Sequence, residues 1–224
     1  MVASVARGSR SDSKNWLGAV RADLRSRGFR SKNARFRSEV SGNSVVVALQ
    51  ERKNCNIENV LMLTVNVGVH SARLAKRMGR EVAEEWDVWR CHWRRRLARD
   101  GQEQWLRFSL DEEDGVAAGR IRDAVLSMVP ALLAHASDEA LRDEWLAGRS
   151  ENLGAMERLL HLSILISEIG PVDRLDAVLE ELRQEVAGRL QEPRVLFELE
   201  AAGVTRARSV FRAAASERSS TTPE

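Results

Sequence analysis

The sequence predicts an α+β protein with an N-terminal helix, an antiparallel sheet of about five strands and a C-terminal all-helical section. Two patterns carry this reading. Apolar residues alternate with polar ones in short runs between residues 35 and 110. From residue 114 onward apolar residues recur at helical spacing, so strands come first and helices after.

A first helix is expected from Asn15 to Arg27, because Trp16, Val20 and Leu24 fall at i, i+4 and i+8 with Leu17 beside them. Ser13 or Asp12 can cap its start, and Gly28 stands where a left-handed residue closes a helix. Arg35–Val40 and Ser44–Arg52 read as strands around the turn Ser41-Gly42-Asn43-Ser44. A polar loop then leads to a third strand, Val60–His70. In it Leu61, Leu63, Val65, Val67 and Val69 share one face, while Met62, Thr64, Asn66, Gly68 and His70 share the other. The first face is core. The second is polar enough to meet solvent, a ligand or a partner.

Residues 71–89 are expected to be helical, with Leu74, Met78, Val82 and Trp86 spaced by four. Two further strands, 92–97 and 104–110, are joined through the hairpin signal Arg99-Asp100-Gly101. Helices follow at about 114–136, with Pro130 kinking or splitting it, and at 138–148, 151–168, 172–190 and 194–202. The expected organisation is a tail (1–12), an α+β domain (13–150), a helical extension packed on it or forming a small bundle (151–213), and a second tail (214–224).

Composition narrows the class. At 43% hydrophobic and 30% charged, the 224 residues are those of a globular protein. The longest apolar run, around residues 159–166, contains His161 and Ser163 and is too short to span a bilayer. No secretory signal opens the chain, and two cysteines, Cys55 and Cys91, make no disulfide framework. A cytoplasmic setting with reduced thiols is therefore expected, with no membrane contact. The net charge of +2 hides a division: residues 1–107 hold 22 Lys/Arg against 11 Asp/Glu, and the rest hold 13 against 22. Such asymmetry marks either a basic binding half or two halves that neutralise each other.

The order Gly28-Phe29, Phe36-Arg37, Val46-Val47 to Gln50, then Leu63-Thr64-Val65-Asn66-Val67-Gly68-Val69, His92-Trp93-Arg94-Arg95-Arg96-Leu97 and Trp105 resembles the bacterial domain-of-unknown-function family 4304 over roughly residues 14–150. Similar sequences follow the glutamine with a basic residue and a serine, where this chain has Glu51-Arg52-Lys53. The resemblance implies a fold and a bacterial setting. It implies no activity.

No motif specifies chemistry. The four histidines (His70, His92, His135, His161) show no i, i+4 pair, and His92 and Cys91 point to opposite faces of a strand, so no metal is expected. The run Asp111 to Asp114 suits a helix start better than a calcium loop. Gly115 to Arg120 lacks the Lys-Ser/Thr of a phosphate loop, and no cofactor fingerprint occurs, so none is expected. A metal-dependent nuclease could use Glu39 with the Glu-x-Lys of Glu51 and Lys53. If paired residue numbers across the hairpin sum to about 85, Glu39 faces Val46 and Glu51 lies on the order of 16 Å away. Carboxylates that far apart do not share one ion.

The expected role is therefore non-catalytic binding of another protein, with toxin immunity or defence among the roles that fit. The polar sheet face offers Gln50, Arg52, Asn66, His70, Trp93 and Arg95 as surface contacts. Nucleic-acid binding through Arg21, Arg25, Arg27, Arg30, Lys32, Arg35 and Arg37 is the alternative, although no helix-turn-helix, zinc finger or stacking signature accompanies these cations. The six tryptophans are expected mainly as core anchors, with Trp86, Trp89 and Trp93 also fitting an interface cluster.

Overall fold

The computed structural model describes residues 15–52, 60–80, 86–99, 102–109 and 114–212. The expected tails lie outside the described residues, as do Lys53 to Asn59, Asp100-Gly101 and Asp111 to Glu113.

Helix α1 (Asn15–Ser26) turns Val20 and Leu24 inward and ends at Gly28, whose φ of +85° only glycine adopts readily. Strand β1 (Arg30–Lys32) follows, too short for any periodicity to reveal it, and then β2 (Arg35–Val40), β3 (Asn43–Glu51) and β4 (Val60–His70). Val40 pairs with Asn43, so Ser41 and Gly42 form a two-residue turn. Their φ values of +53° and +80° are those of the primed turn that matches strand twist.

The hairpin register differs from the expected one by two residues. Glu39 faces Ser44, not Val46, because the loop closes on two residues rather than four. Glu39 thereby stands opposite a residue two positions further from Glu51 along β3, and the two lie on opposite faces of the sheet, which separates the carboxylates further than the expected register does.

Strand β4 is the hub. On one side it pairs with β3; on the other it pairs with β5 (Trp93–Arg96) along residues 66–69 and with β8 (Leu106–Ser109) along residues 60–63. Between these two, β6 (Ala98–Arg99) and β7 (Gln102–Glu103) form a small ladder of their own. The six-stranded sheet is antiparallel throughout.

The helix expected over 71–89 is cut to α2 (Ala72–Arg77), since Gly79 with φ +63° ends the turn; residues 81–85 are not described, and 88–90 form a single 3-10 turn. Helices α3 (Asp114–Ala134), α4 (Asp138–Leu146), α5 (Ala155–Ile169), α6 (Leu175–Val186) and α7 (Glu192–Ala201) complete the chain. Pro130 is accommodated inside α3 without splitting it.

The odd-numbered face of the central strands (Val45, Val47, Leu63, Val65, Val67) packs on α1 and α3 through Val20, Leu24, Ile121 and Val125. The same apolar cluster continues through Leu159 and Leu162 of α5 to Leu199 of α7. Each such buried aliphatic side chain stabilises the fold by about 1.5–3 kcal/mol, which fixes which face of the sheet is turned inward.

The even-numbered face is not simply solvated, and here the sequence expectation needs correction. Thr64, Asn66, Gly68 and His70 are all buried. The chain crosses back over them: Val88 and Cys91 pack on Val46 and Ala48, and Thr64 donates a hydrogen bond to the Gln104 carbonyl. Polarity on that face serves internal hydrogen bonding over β4. The outer strands β1 and β2 and the segment 89–96 keep the accessible part.

Candidate binding surface

A cross-strand row runs the width of the sheet on this second face. Lys32 pairs with Arg35, Arg35 with Ala48, Ala48 with Asn66, and Asn66 with Arg96. Directly paired residues point to the same side, so cations stand at both ends with a small and an amide residue between. Four inter-strand steps make the row about 19 Å long. Beside it Arg30 pairs with Arg37.

Like charges set directly opposite each other are destabilising, and here two such pairs sit side by side. Arg37 is buried and compensated, donating to Ser44 Oγ (2.8 Å) and ion-paired with Glu39. Lys32 and Arg35 are exposed, and among the described residues no hydrogen bond or ion pair engages either of them.

At the other end Arg96 donates to Asn66 Oδ1 (2.9 Å), to Gln50 Oε1 (3.4 Å) and to Glu103 Oε2 (2.6 Å). Asn66 Nδ2 also donates to Gln50 Oε1 (3.2 Å). The Arg96 guanidinium lies 5.4 Å from the centroid of Trp89, and that of Arg52 lies 5.8 Å from the centroid of Trp105, both within cation–π range.

Trp89 is the least expected feature. It is 54% exposed, an unusual position for so large a ring. Its turn is firmly held: Asp87 Oδ1 accepts from Trp89 N–H (3.2 Å), Arg94 Nη1 donates to the Trp89 carbonyl (2.8 Å), and Cys91 N–H donates to the Val88 carbonyl (3.0 Å). Gly68 makes room beneath, because a Cβ there would stand 2.7 Å from Cys91 Cβ and 2.8 Å from its sulfur. Gly68→Ala is therefore expected to cost roughly 1–3 kcal/mol through overpacking and to lift the turn off the sheet. Urea unfolding reads the first effect, and a changed Trp89 fluorescence maximum reads the second.

Of the residues anticipated from the sequence, Asn66 is buried and supports this surface through its hydrogen bonds with Gln50 and Arg96. Gln50 and Arg52 come together on it, as do Arg30, Lys32 and Arg35. Trp93 and His70 do not. Trp93 is 1% exposed and stacks at 4.3 Å on His135 in the core, and His70 is buried, so neither is a surface contact. Arg95 pairs with Val67 on the inward face and reaches Glu151 (3.0 Å); Arg96, one residue later, takes the place expected of it. Arg21, Arg25 and Arg27 lie on or just after α1, outside the row itself, and Arg21 donates to the Asn33 carbonyl (3.2 Å) in the turn between Lys32 and Arg35. Arg96 escapes the sequence reading because strand parity at β5 depends on a register that local sequence does not encode, whereas Trp89 figures there only as one of an interface cluster with Trp86 and Trp93.

Two other clusters merit a chemical reading. Ser71, His92 and Asp138 lie together, yet not as a nucleophile relay. Ser71 Oγ donates to Asp138 Oδ1 (2.6 Å), while His92 Nδ1 accepts from the Ser71 backbone N–H (3.0 Å), so no imidazole is placed to take the hydroxyl proton. All three residues are buried. Asn43 completes this knot by donating to Asp138 Oδ1 (3.0 Å) and to the Ala136 carbonyl (3.0 Å) and accepting from Ala72 N–H (3.1 Å). Its geometry is that of a structural tie between hairpin, α2 and α4. Next to it His70 and His92 stand 4.8 Å apart, and His92 and His161 5.1 Å. Among the described residues no group of three or more His, Cys, Asp or Glu side chains is arranged to hold a metal ion.

A groove of about 550 Å³ beside α2 is lined by Arg73, Lys76, Arg77 and Glu168. Arg73 is tied to Asp138 (2.8 Å) and Arg77 to Glu168. Among the described residues no ion pair engages Lys76, which leaves the groove a single such cation, a weaker focus than the sheet row.

The fold is thus that of an α+β protein built on a central antiparallel strand, with a basic and aromatic surface on the sheet face opposite α1 and α3. The chain belongs to the domain-of-unknown-function family 4304 (DUF4304), whose family model matches residues 20–132, from α1 into α3 and including the whole candidate surface. No curated protein and no solved structure matches the chain. No helix among the described residues is long and apolar enough to cross a membrane.

Proposed function

We propose that this is a non-catalytic binding protein of the bacterial cytosol whose contact surface is the basic face of the sheet, and that its partner is anionic. The observation that carries the reading is the row from Lys32 and Arg35 across the sheet to Arg96, with Trp89 exposed beside it. An arrangement that destabilises the free protein through opposed like charges is relieved when an anion lies across it. A charged edge strand also discourages sheet-to-sheet aggregation, but that role gives no reason to hold a large aromatic ring in solvent on the same face.

Heparin affinity tests the reading with no assumption about the natural partner. The wild-type chain is expected to be retained at physiological ionic strength and eluted by salt, since exposed ion pairing is screened with a Debye length of about 8 Å at 0.15 M. The charge-reversed variant Lys32→Glu/Arg35→Glu is expected to flow through. Equal retention of both proteins contradicts the assignment of the surface.

A further inference from the structure

We infer that the anionic partner is a single strand of nucleic acid, lying across the strands from β1 to β5 with a base stacked on Trp89. The inference rests on the reading of the sheet face as a binding surface, and it adds the chemistry of the ligand.

Four features favour a nucleic acid strand over an acidic protein. Cations stand at both ends of a line of about 19 Å, Lys32 and Arg35 at one and Arg96 at the other. They can therefore hold the two ends of a short phosphate backbone, and about four nucleotides is the small end of the range for sheet-based single-strand binders. Trp89 is exposed on a turn that hydrogen bonds already fix, so its ring is preorganised for stacking and loses little freedom on binding. Arg96 sits against the same ring, which adds a guanidinium plane to the platform. Between these, Gln50 accepts two hydrogen bonds through Oε1, which leaves its amide N–H groups as donors for a base edge. A duplex hides its bases from such a platform, and no α-helix among the described residues forms part of this surface to enter a groove.

The test is fluorescence anisotropy of the full chain with a labelled twelve-nucleotide oligothymidylate, the corresponding duplex and a labelled polyglutamate, each at two salt concentrations. The single strand is expected to bind tightest. Trp89→Ala, at an exposed position, is expected to weaken that binding about tenfold, as loss of one stacked base does. Trp89→Phe is expected to restore most of it. Arg35→Gln is expected to lower the slope of log affinity against log salt by about 0.7, one phosphate contact on a single strand. Tighter binding of polyglutamate overturns the nucleic-acid inference and leaves the basic surface standing. Equal binding of duplex and single strand with no effect of Trp89→Ala also overturns it. If none of the three probes binds, the surface assignment falls with it.

Discussion

Asp138→Ala is expected to lower the unfolding free energy by about 3–5 kcal/mol. The carboxylate accepts from Ser71 Oγ, Asn43 Nδ2 and Arg73 Nε at 2.6, 3.0 and 2.8 Å, and it is buried. Its removal strands two buried polar side chains and one guanidinium at once. A donor left unsatisfied in the interior costs about 1–3 kcal/mol, so the individual losses already reach that range. The three partners belong to the end of the β2–β3 hairpin, the cap of α2 and α2 itself, while Asp138 opens α4. The loss should therefore appear as one cooperative shift in the urea midpoint. Asp138→Asn keeps one carbonyl acceptor and should lose less. A change below about 1 kcal/mol for the alanine variant would show that neighbouring water replaces the carboxylate.

The second large effect is acid lability. Burial holds His161 neutral, with its pKa lowered to about 3, and the nearby charges of Arg80 and Arg94 push in the same direction. Burial likewise lowers His92 well below the ordinary histidine value, assisted by His161, His70 and Arg80. Between the folded and unfolded pKa values the unfolded chain binds more protons. Stability is therefore fully present above about pH 6.5 and falls as pH drops below it, by up to about 1.4 kcal/mol per pH unit for each such histidine. Lowered carboxylate values such as that of Glu144, held down by Arg149, add to the loss only below the usual carboxylate range near 4.5. The interval from pH 6.5 to 5 thus isolates the histidines. His161→Leu should reduce the slope of unfolding free energy against pH there by about one histidine's share. An unchanged slope would mean that His161 accepts its proton in the folded state.

Much of the fold is legible in the sequence because it is local. Period-two runs locate β2, β3 and β4, and Gly28 and Gly42 mark the ends they were expected to mark. What escapes is set by long-range pairing. The even face of β4 looks solvated from alternation alone, yet it is covered once β5 and β8 both dock on β4 and carry residues 88–92 and 104 across it. The same dependence explains the candidate surface. Gln50, Asn66, Lys32 and Arg35 could be named from composition, while the choice of Arg96 over Arg95 needed the pairing Asn66 to Arg96. Trp89 was grouped with its neighbours as core or interface, and only the 3-10 turn separates its exposed ring from the buried Trp93. His70, His92 and His161 meet through three distant segments, so no spacing rule could have found them.

The proposed binding function requires that the row from Lys32 to Arg96 and the ring of Trp89 form one ligand-facing surface. Titrating the isotope-labelled chain with a short oligothymidylate, followed by amide and indole proton–nitrogen correlation spectra, tests this most directly. The largest shifts are expected at the Trp89 indole and at Lys32, Arg35, Gln50 and Arg96, with α2 silent. Shifts confined to Arg73, Lys76 and Arg77, or to α1, would contradict it.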